Sequence, residues 1–244
     1  MDETPGYYEH LTFIAPLSEA RADALAHRLA ARSPGTLLDV GCGWGELLLR
    51  VGARAPEATG LGVDTEERHL ERARARAREL GVDSRVTFAN RPGDELTEPA
   101  DVVICIGSSQ AFGESAADAL TALRPLVRPG GCLVLGEGTW EVRGPVEVDR
   151  VWDDVVNLPS IAGLADLAVD AGYRPLWVET ASQDELFAFE SGYLADLEEW
   201  LMRHDDAEVR ARADEHRSRW LHGYRNAFGF AFLTLGVPDL STAG

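Results

Sequence analysis

Apolar and polar positions alternate along this chain with two periods, and each switch between them marks an element. Residues 18–32 (SEARADALAHRLAAR) repeat at helical spacing. Ser18 stands where an N-cap belongs, and Pro34-Gly35 stops the helix. TLLDV (36–40) is a short buried-strand pattern that runs into GCGWG (41–45), and 46–55 is again helical. ATGLGVD (58–64) reads as the second strand. A helix over 65–80 follows, opened by acids as the helix dipole favours and closed by Gly81. RVTFAN (85–90) and ADVVICIG (100–107) are the third and fourth strands. A helix at about 115–127, the turn RPGG (128–131) and a fifth strand, CLVLGE (132–137), come next.

The later pattern predicts a helix at 160–172, a strand at 173–181, two long helices at about 184–203 and 206–226, and a last strand at 227–236. Continuous apolar strands separated by amphipathic helices mean a mostly parallel sheet covered on both faces. The simplest organisation is one domain over 1–244. It has an N-terminal lid and helix at 1–33 and a helical cap inserted at 184–226 before the final strand.

Composition narrows the function. The chain has 244 residues and a formal charge of −18, which disfavours nucleic acid and anionic membranes as partners. No apolar run reaches the roughly 20 residues of a membrane span, and the acidic, polar N-terminus does not read as a signal peptide. Cys42, Cys105 and Cys132 are scattered, with no metal-ligand spacing, and read as reduced cytoplasmic thiols. All 23 basic residues are arginine, which excludes lysine Schiff bases and a Walker lysine.

The candidate chemistry lies at strand ends. Glycines at 41, 43 and 45 between a strand and a helix let a ligand approach the backbone. Asp64, at the end of the second strand, can accept hydrogen bonds from both hydroxyls of a ribose. A dinucleotide or S-adenosylmethionine (SAM) fits this outline. A dinucleotide calls for glycine at 46, where this chain has Glu46, and a carboxylate there opposes a pyrophosphate.

LLDVGCGWG, GLGVD, ADVVICIG and LRPLVRPGGCLVLGE, in that order, resemble the class I SAM-dependent methyltransferases, whose P-G-G turn precedes the fifth strand. The resemblance covers about 36–180. With G-E-x-x-W at 136–140 and the helical insertion, the chain is similar to poorly characterised bacterial members of that family. The resemblance implies a Rossmann-like, seven-stranded sheet whose last strand is antiparallel, and SAM as cofactor. It further implies that Gly41, Cys42, Gly43, Gly45, Ile106 and Gly107 surround the methionine part, and that Asp39 either orders the loop or meets the amino group. Asp64 would hold the ribose, Thr65 would border the adenine, and Asp94, late in NRPGDE, is the candidate for the adenine amino group.

Catalysis and substrate choice rest on further expectations. Glu137, flanked by glycines where the fifth strand ends, is a candidate general base or substrate anchor; pairing with Arg143 is its structural alternative. His10 is a second candidate base, and with Tyr7 and Tyr8 it belongs to the N-terminal lid. Tyr8, Ser109, Trp140, Glu190 and Tyr224 are the candidate substrate residues. Glu190 is odd in the stripe Phe187, Glu190, Leu194, Leu197, Leu201, since a buried acid needs a partner; Arg225 is the candidate. No metal is expected. The acceptor is a small molecule, methylated on oxygen, nitrogen or carbon, and a homodimer is a compatible assembly. The rivals are a catalytically silent SAM-binding regulator and an NAD-dependent oxidoreductase.

Overall fold

The computed structural model describes residues 8–241. In chain order the elements are α1 (Glu19–Ala30), β1 (Thr36–Val40), α2 (Glu46–Arg54), β2 (Thr59–Asp64), α3 (Glu67–Glu79), β3 (Val86–Asn90), β4 (Ala100–Ile106), α4 (Ala116–Leu123) and β5 (Val127–Trp140). They continue with α5 (Asp153–Val156), α6 (Ile161–Asp170), β6 (Arg174–Thr180), α7 (Gln183–Leu201), α8 (Ala207–Ser218) and β7 (Phe228–Gly236). The sheet order is β3-β2-β1-β4-β5-β7-β6. β3 through β5 pair in parallel. β7 runs against β5: Val237 bonds to Gly130 and Gly131 at one end, while Ala227 and Asn226 accept from Glu141 and Arg143 at the other. The expected mostly parallel sheet with an antiparallel last strand is therefore present.

The strand order reverses between β1 and β4, both central and buried. Leu38, Val40, Val103, Ile104, Leu133 and Leu135 are all fully or nearly fully buried. Such strands carry continuous apolar runs because helices cover both of their faces. The capping signals also hold locally: the Ser18 hydroxyl accepts from the Arg21 N–H, and Ser182 and Glu185 form a reciprocal capping box at α7.

Two boundaries differ from the sequence pattern. RPGG is a bulge inside β5, not a turn before it: Ala100 pairs with Val127 and Val102 with Cys132, so the extra residues loop out of the ladder. At its other end β5 continues to Trp140, so Glu137 lies within the strand. β4 pairs with β5 as far as Gly136, which leaves Glu137 just beyond the last parallel pair. The helix expected at 206–226 ends at Ser218. A π turn follows over Arg219–Gly223, where Tyr224 N–H reaches back to the Arg219 carbonyl. A side chain at Gly223 would come within 3.1–3.3 Å of Val151 and the Arg150 backbone, a tight fit in which those neighbours would have to give by a few tenths of an ångström.

Contacts group the chain into two compact units. One holds, among the described residues, 18–137, 162–179 and 231–241, which include β1 to β4 and α1 to α4. The other holds, among the described residues, 8–17, 138–161 and 180–230, which include α7 and α8. In the latter, Val151, Leu194, Trp220 and Tyr224 form one buried cluster, with Trp140 and Trp152 against it. Leu197, Val209 and Ala213 form a second. The expected apolar stripe of α7 is buried at Glu190, Leu194 and Leu197, whereas Phe187 is largely exposed, its ring edge-on to Trp220. No helix among the described residues is long and apolar enough to cross a membrane.

Candidate active site

The loop after β1 turns through left-handed backbone at Gly41, Gly43 and Gly45, with φ of 64°, 53° and 67°. A side chain at Gly41 would place its Cβ 2.3 Å from that of Ser108, and one at Gly45 would sit 2.4 Å from the Phe88 ring. Both glycines are thus required by the chain's own conformation and packing. Ser108 ties the loops after β1 and β4 together, since its buried hydroxyl donates to the Val40 carbonyl at 2.6 Å. Trp44, buried inside the glycine loop, has the Arg72 guanidinium 3.9 Å from its ring centroid and the His69 ring edge-on at 5.6 Å.

Three acids stand close to this loop, in different states. Asp64 Oδ2 accepts from the Gly43 N–H at 2.8 Å and Oδ1 from the Glu66 N–H at 2.9 Å. Burial pushes the Asp64 carboxyl up, but His69 and these two N–H groups outweigh it and hold the pKa below the usual value. Asp39 is 5% exposed and its carboxyl has no hydrogen bond among the described residues. Burial, reinforced by the Asp64 charge, raises its pKa to about 8. Glu46 is committed to Arg50, at 2.9 Å, and Arg76, at 3.6 Å. Both arginines are shared with other acids, Arg50 with Glu19 and Asp23 and Arg76 with Glu79, so this end of α2 keeps acidic character unfavourable to a pyrophosphate.

Ile106 and Gly107 end β4 as expected, and Gly107 is left-handed with φ 67°. Ser109 opens the short 3-10 turn that follows. Burial pushes the Cys105 thiol up to about 12; the Ser108 hydroxyl pulls it down, and the Glu137 and Asp39 carboxylates add upward. Both acids thus lie within electrostatic reach of the end of β4. Cys42, between the glycines, is raised far above its ordinary value, first by burial and then by Asp39 and Asp64, so its thiol stays protonated. Thr65 is exposed just after β2, and Asp94 is exposed in a 3-10 turn, Gly93–Glu95, within the loop after β3.

The remaining candidates belong to the unit that holds α7 and α8. Glu190, 5% exposed, meets His216 Nε2 at 2.7 Å and accepts from the Tyr224 hydroxyl at 3.0 Å. Its partners are these two residues and not the expected Arg225. The Tyr8 ring packs 5.5 Å from Tyr193, which in turn lies 4.6 Å from His216. His10 Nε2 faces the Asp196 and Glu199 carboxylates at 3.6 and 3.4 Å. Trp140 packs against the cluster around Tyr224. Tyr7 lies outside the described residues. Arg143 donates to the Phe228 carbonyl.

Residues 38–133 match the family model of the methyltransferase domain. The uncharacterised protein YjhP of Escherichia coli is 30% identical over 233 residues, covering 90% of this chain and 92% of its own. A SAM-dependent methyltransferase from Geobacter sulfurreducens, crystallised with S-adenosylhomocysteine, superposes with a TM-score of 0.83 at 26% identity, covering 96% of both chains. The chain belongs to the class I SAM-dependent methyltransferases. Trans-aconitate 2-methyltransferase of Methylobacterium radiotolerans is a further relative, 27% identical over 224 residues and covering 86% of this chain and 84% of its own.

The residues of this methyltransferase fit the cofactor. SAM carries a sulfonium and an amino group, both cationic, and the chain sets one ionised acid and one buried acid without a hydrogen bond beside its glycine loop. A cation entering there stabilises the ionised form of Asp39. Three structural contributors in this methyltransferase went unmarked by the sequence reading: Trp44, His69 and His216. Trp44 carried a signal, since a large aromatic inside a glycine loop must be buried against something. The two histidines carried none, because their rings meet their partners only once the chain has folded.

Proposed function

We propose that this methyltransferase transfers the SAM methyl group to an oxygen, nitrogen or carbon atom of a small molecule. The observation that carries the cofactor assignment is the pair of acids at the ends of β1 and β2, Asp39 and Asp64, flanking left-handed glycines. In this reading Gly41, Cys42, Gly43 and Gly45 border the methionine part, with Ile106 and Gly107 beside them. Asp39 takes the charge of the amino group or of the sulfonium. Asp64 accepts from the ribose hydroxyls, and Thr65 and Asp94 border the adenine.

SAM supplies a methyl group on a good leaving group, so the chain's task is alignment and, for a protonated acceptor, proton removal. Glu137 is the proposed base or anchor, with His10 as the alternative base. Tyr8, Ser109, Trp140, Glu190 and Tyr224 are the proposed substrate residues. The small-molecule assignment is supported by the charge of −18, which repels polyanions. It is also supported by likeness to trans-aconitate 2-methyltransferase, along most of both chains.

The test is to incubate the purified protein with methyl-labelled SAM and a cell extract. Label should appear in the low-molecular-weight fraction. Label in protein or nucleic acid would sink the small-molecule assignment, and no transfer to any fraction would favour the silent regulator.

A further inference from the structure

His69 is drawn to the centre of the cofactor loop by two contacts at once. It lies in the first turns of α3, five residues after Asp64, with its side chain 18% exposed. Its Nδ1 is buried, lacks a hydrogen-bond partner among the described residues, and stands 3.8 Å from Asp64 Oδ1. The same ring meets Trp44 of the glycine loop edge-on at 5.6 Å. One imidazole therefore touches both the acid at the end of β2 and the loop after β1.

A buried ring nitrogen without a partner is costly unless something completes it. The group closest to completing it is Asp64. A move of about 1 Å brings Nδ1 to ordinary hydrogen-bond distance from Oδ1. An ionised carboxylate has about four acceptor sites. The Gly43 and Glu66 N–H groups take one on each oxygen. Two remain, one on the His69 side for the Nδ1–H and one for a ribose hydroxyl, provided the carboxylate plane is held still.

We propose that His69 is a positioning residue for cofactor binding: its Nδ1–H backs the Asp64 carboxylate and its ring ties that acid to Trp44, so that the ribose acceptor and the glycine loop are held as one piece. The proposal rests on the assignment of Asp64 to the cofactor ribose. His69 acts through Asp64 and touches no reacting atom.

Two substitutions separate this role from simple packing. In His69→Asn the side-chain amide occupies the place of Nδ1 and keeps the donor but loses the ring. In His69→Phe the ring against Trp44 is kept but the donor is lost. Titration calorimetry with S-adenosylhomocysteine should show near-native affinity for His69→Asn and about tenfold weaker binding for His69→Phe. In an Asp64→Asn background, adding His69→Phe should cost nothing further. Equal affinities, equal losses, or a loss confined to His69→Asn would overturn the proposal. Absence of binding by the native protein would overturn the cofactor assignment itself, and the positioning role with it. A thermal melt of each variant without ligand confirms that losses in affinity are not losses of fold.

Discussion

The Gly43 backbone N–H and the Asp64 carboxylate are joined across 2.8 Å, so the glycine loop is fastened to the acid at the end of the neighbouring strand before any ligand arrives. Removing that carboxylate removes an acceptor for the ribose and a strut of the loop together. Asp64→Ala should weaken S-adenosylhomocysteine binding by about 1.5–3 kcal/mol, the cost of losing hydrogen bonds to a charged group. Calorimetry showing native affinity would refute the ribose assignment.

Asp39 predicts a pH dependence with a defined sign. Its pKa is raised in the fold, from the ordinary 3.8 to about 8. Between those values the folded chain holds a proton that the unfolded chain has released, so stability falls as pH rises through that window. Asp39→Asn removes this slope. Melts of the ligand-free proteins at pH 5 and pH 8 should show the variant gaining on the native chain at the higher pH. Cofactor binding near pH 7 should also release a proton from Asp39, visible as a buffer-dependent binding enthalpy that the variant lacks.

Gly41→Ala meets two obstacles, the left-handed backbone and the Ser108 side chain. The backbone alone costs roughly 1–2 kcal/mol, or about 2–8 °C in melting temperature for a chain of this size, and the overlap adds to it. Measured in a Ser108→Gly background, where the overlap is gone and the lost Val40 hydrogen bond is common to both chains, Gly41→Ala should cost only the backbone part. No cost at all would mean that φ is free to change there.

The Tyr224 hydroxyl is a donor to a buried acid, Glu190. Tyr224→Phe should destabilise the protein by about 1–3 kcal/mol, because Glu190 loses a partner it cannot replace with water. Glu190→Gln keeps an acceptor for Tyr224 and should cost less. Denaturant unfolding curves that rank the two in the opposite order would contradict this account.

Glu137→Gln should leave S-adenosylhomocysteine affinity near native and lower turnover once an acceptor is known, as expected for a base or an anchor in the substrate site. A loss of thermal stability with turnover per folded molecule unchanged would assign the side chain to structure.

The strands and helices of the core, the mostly parallel character of the sheet and the loop chemistry were legible in the chain because their signals are local, whereas the strand order came only with the structure. Periodicity names the elements, and glycines at 41, 43 and 45 with an acid at 64 name the loop that the cofactor needs. The start of β5 was not legible, since the same P-G-G that makes a turn also makes a bulge, and only pairing with β4 decides between them. The end of the helix before β7 was not legible either. The residues of the π turn are ordinary helix formers apart from Gly223, so nothing in their types marks where the helix widens.

By itself the sequence determined the family, the cofactor and the places along the chain where an acid or a glycine must stand, because these depend on residue type at fixed spacing. Only the tertiary structure decided the state of each acid. Asp39 is held protonated and Asp64 ionised by burial and by donors from other segments. Glu46 is paired with arginines four and thirty residues away, and Glu190 is satisfied by His216 and Tyr224. A carboxylate's charge is set by what surrounds it in space, and those surroundings do not exist until the chain has folded.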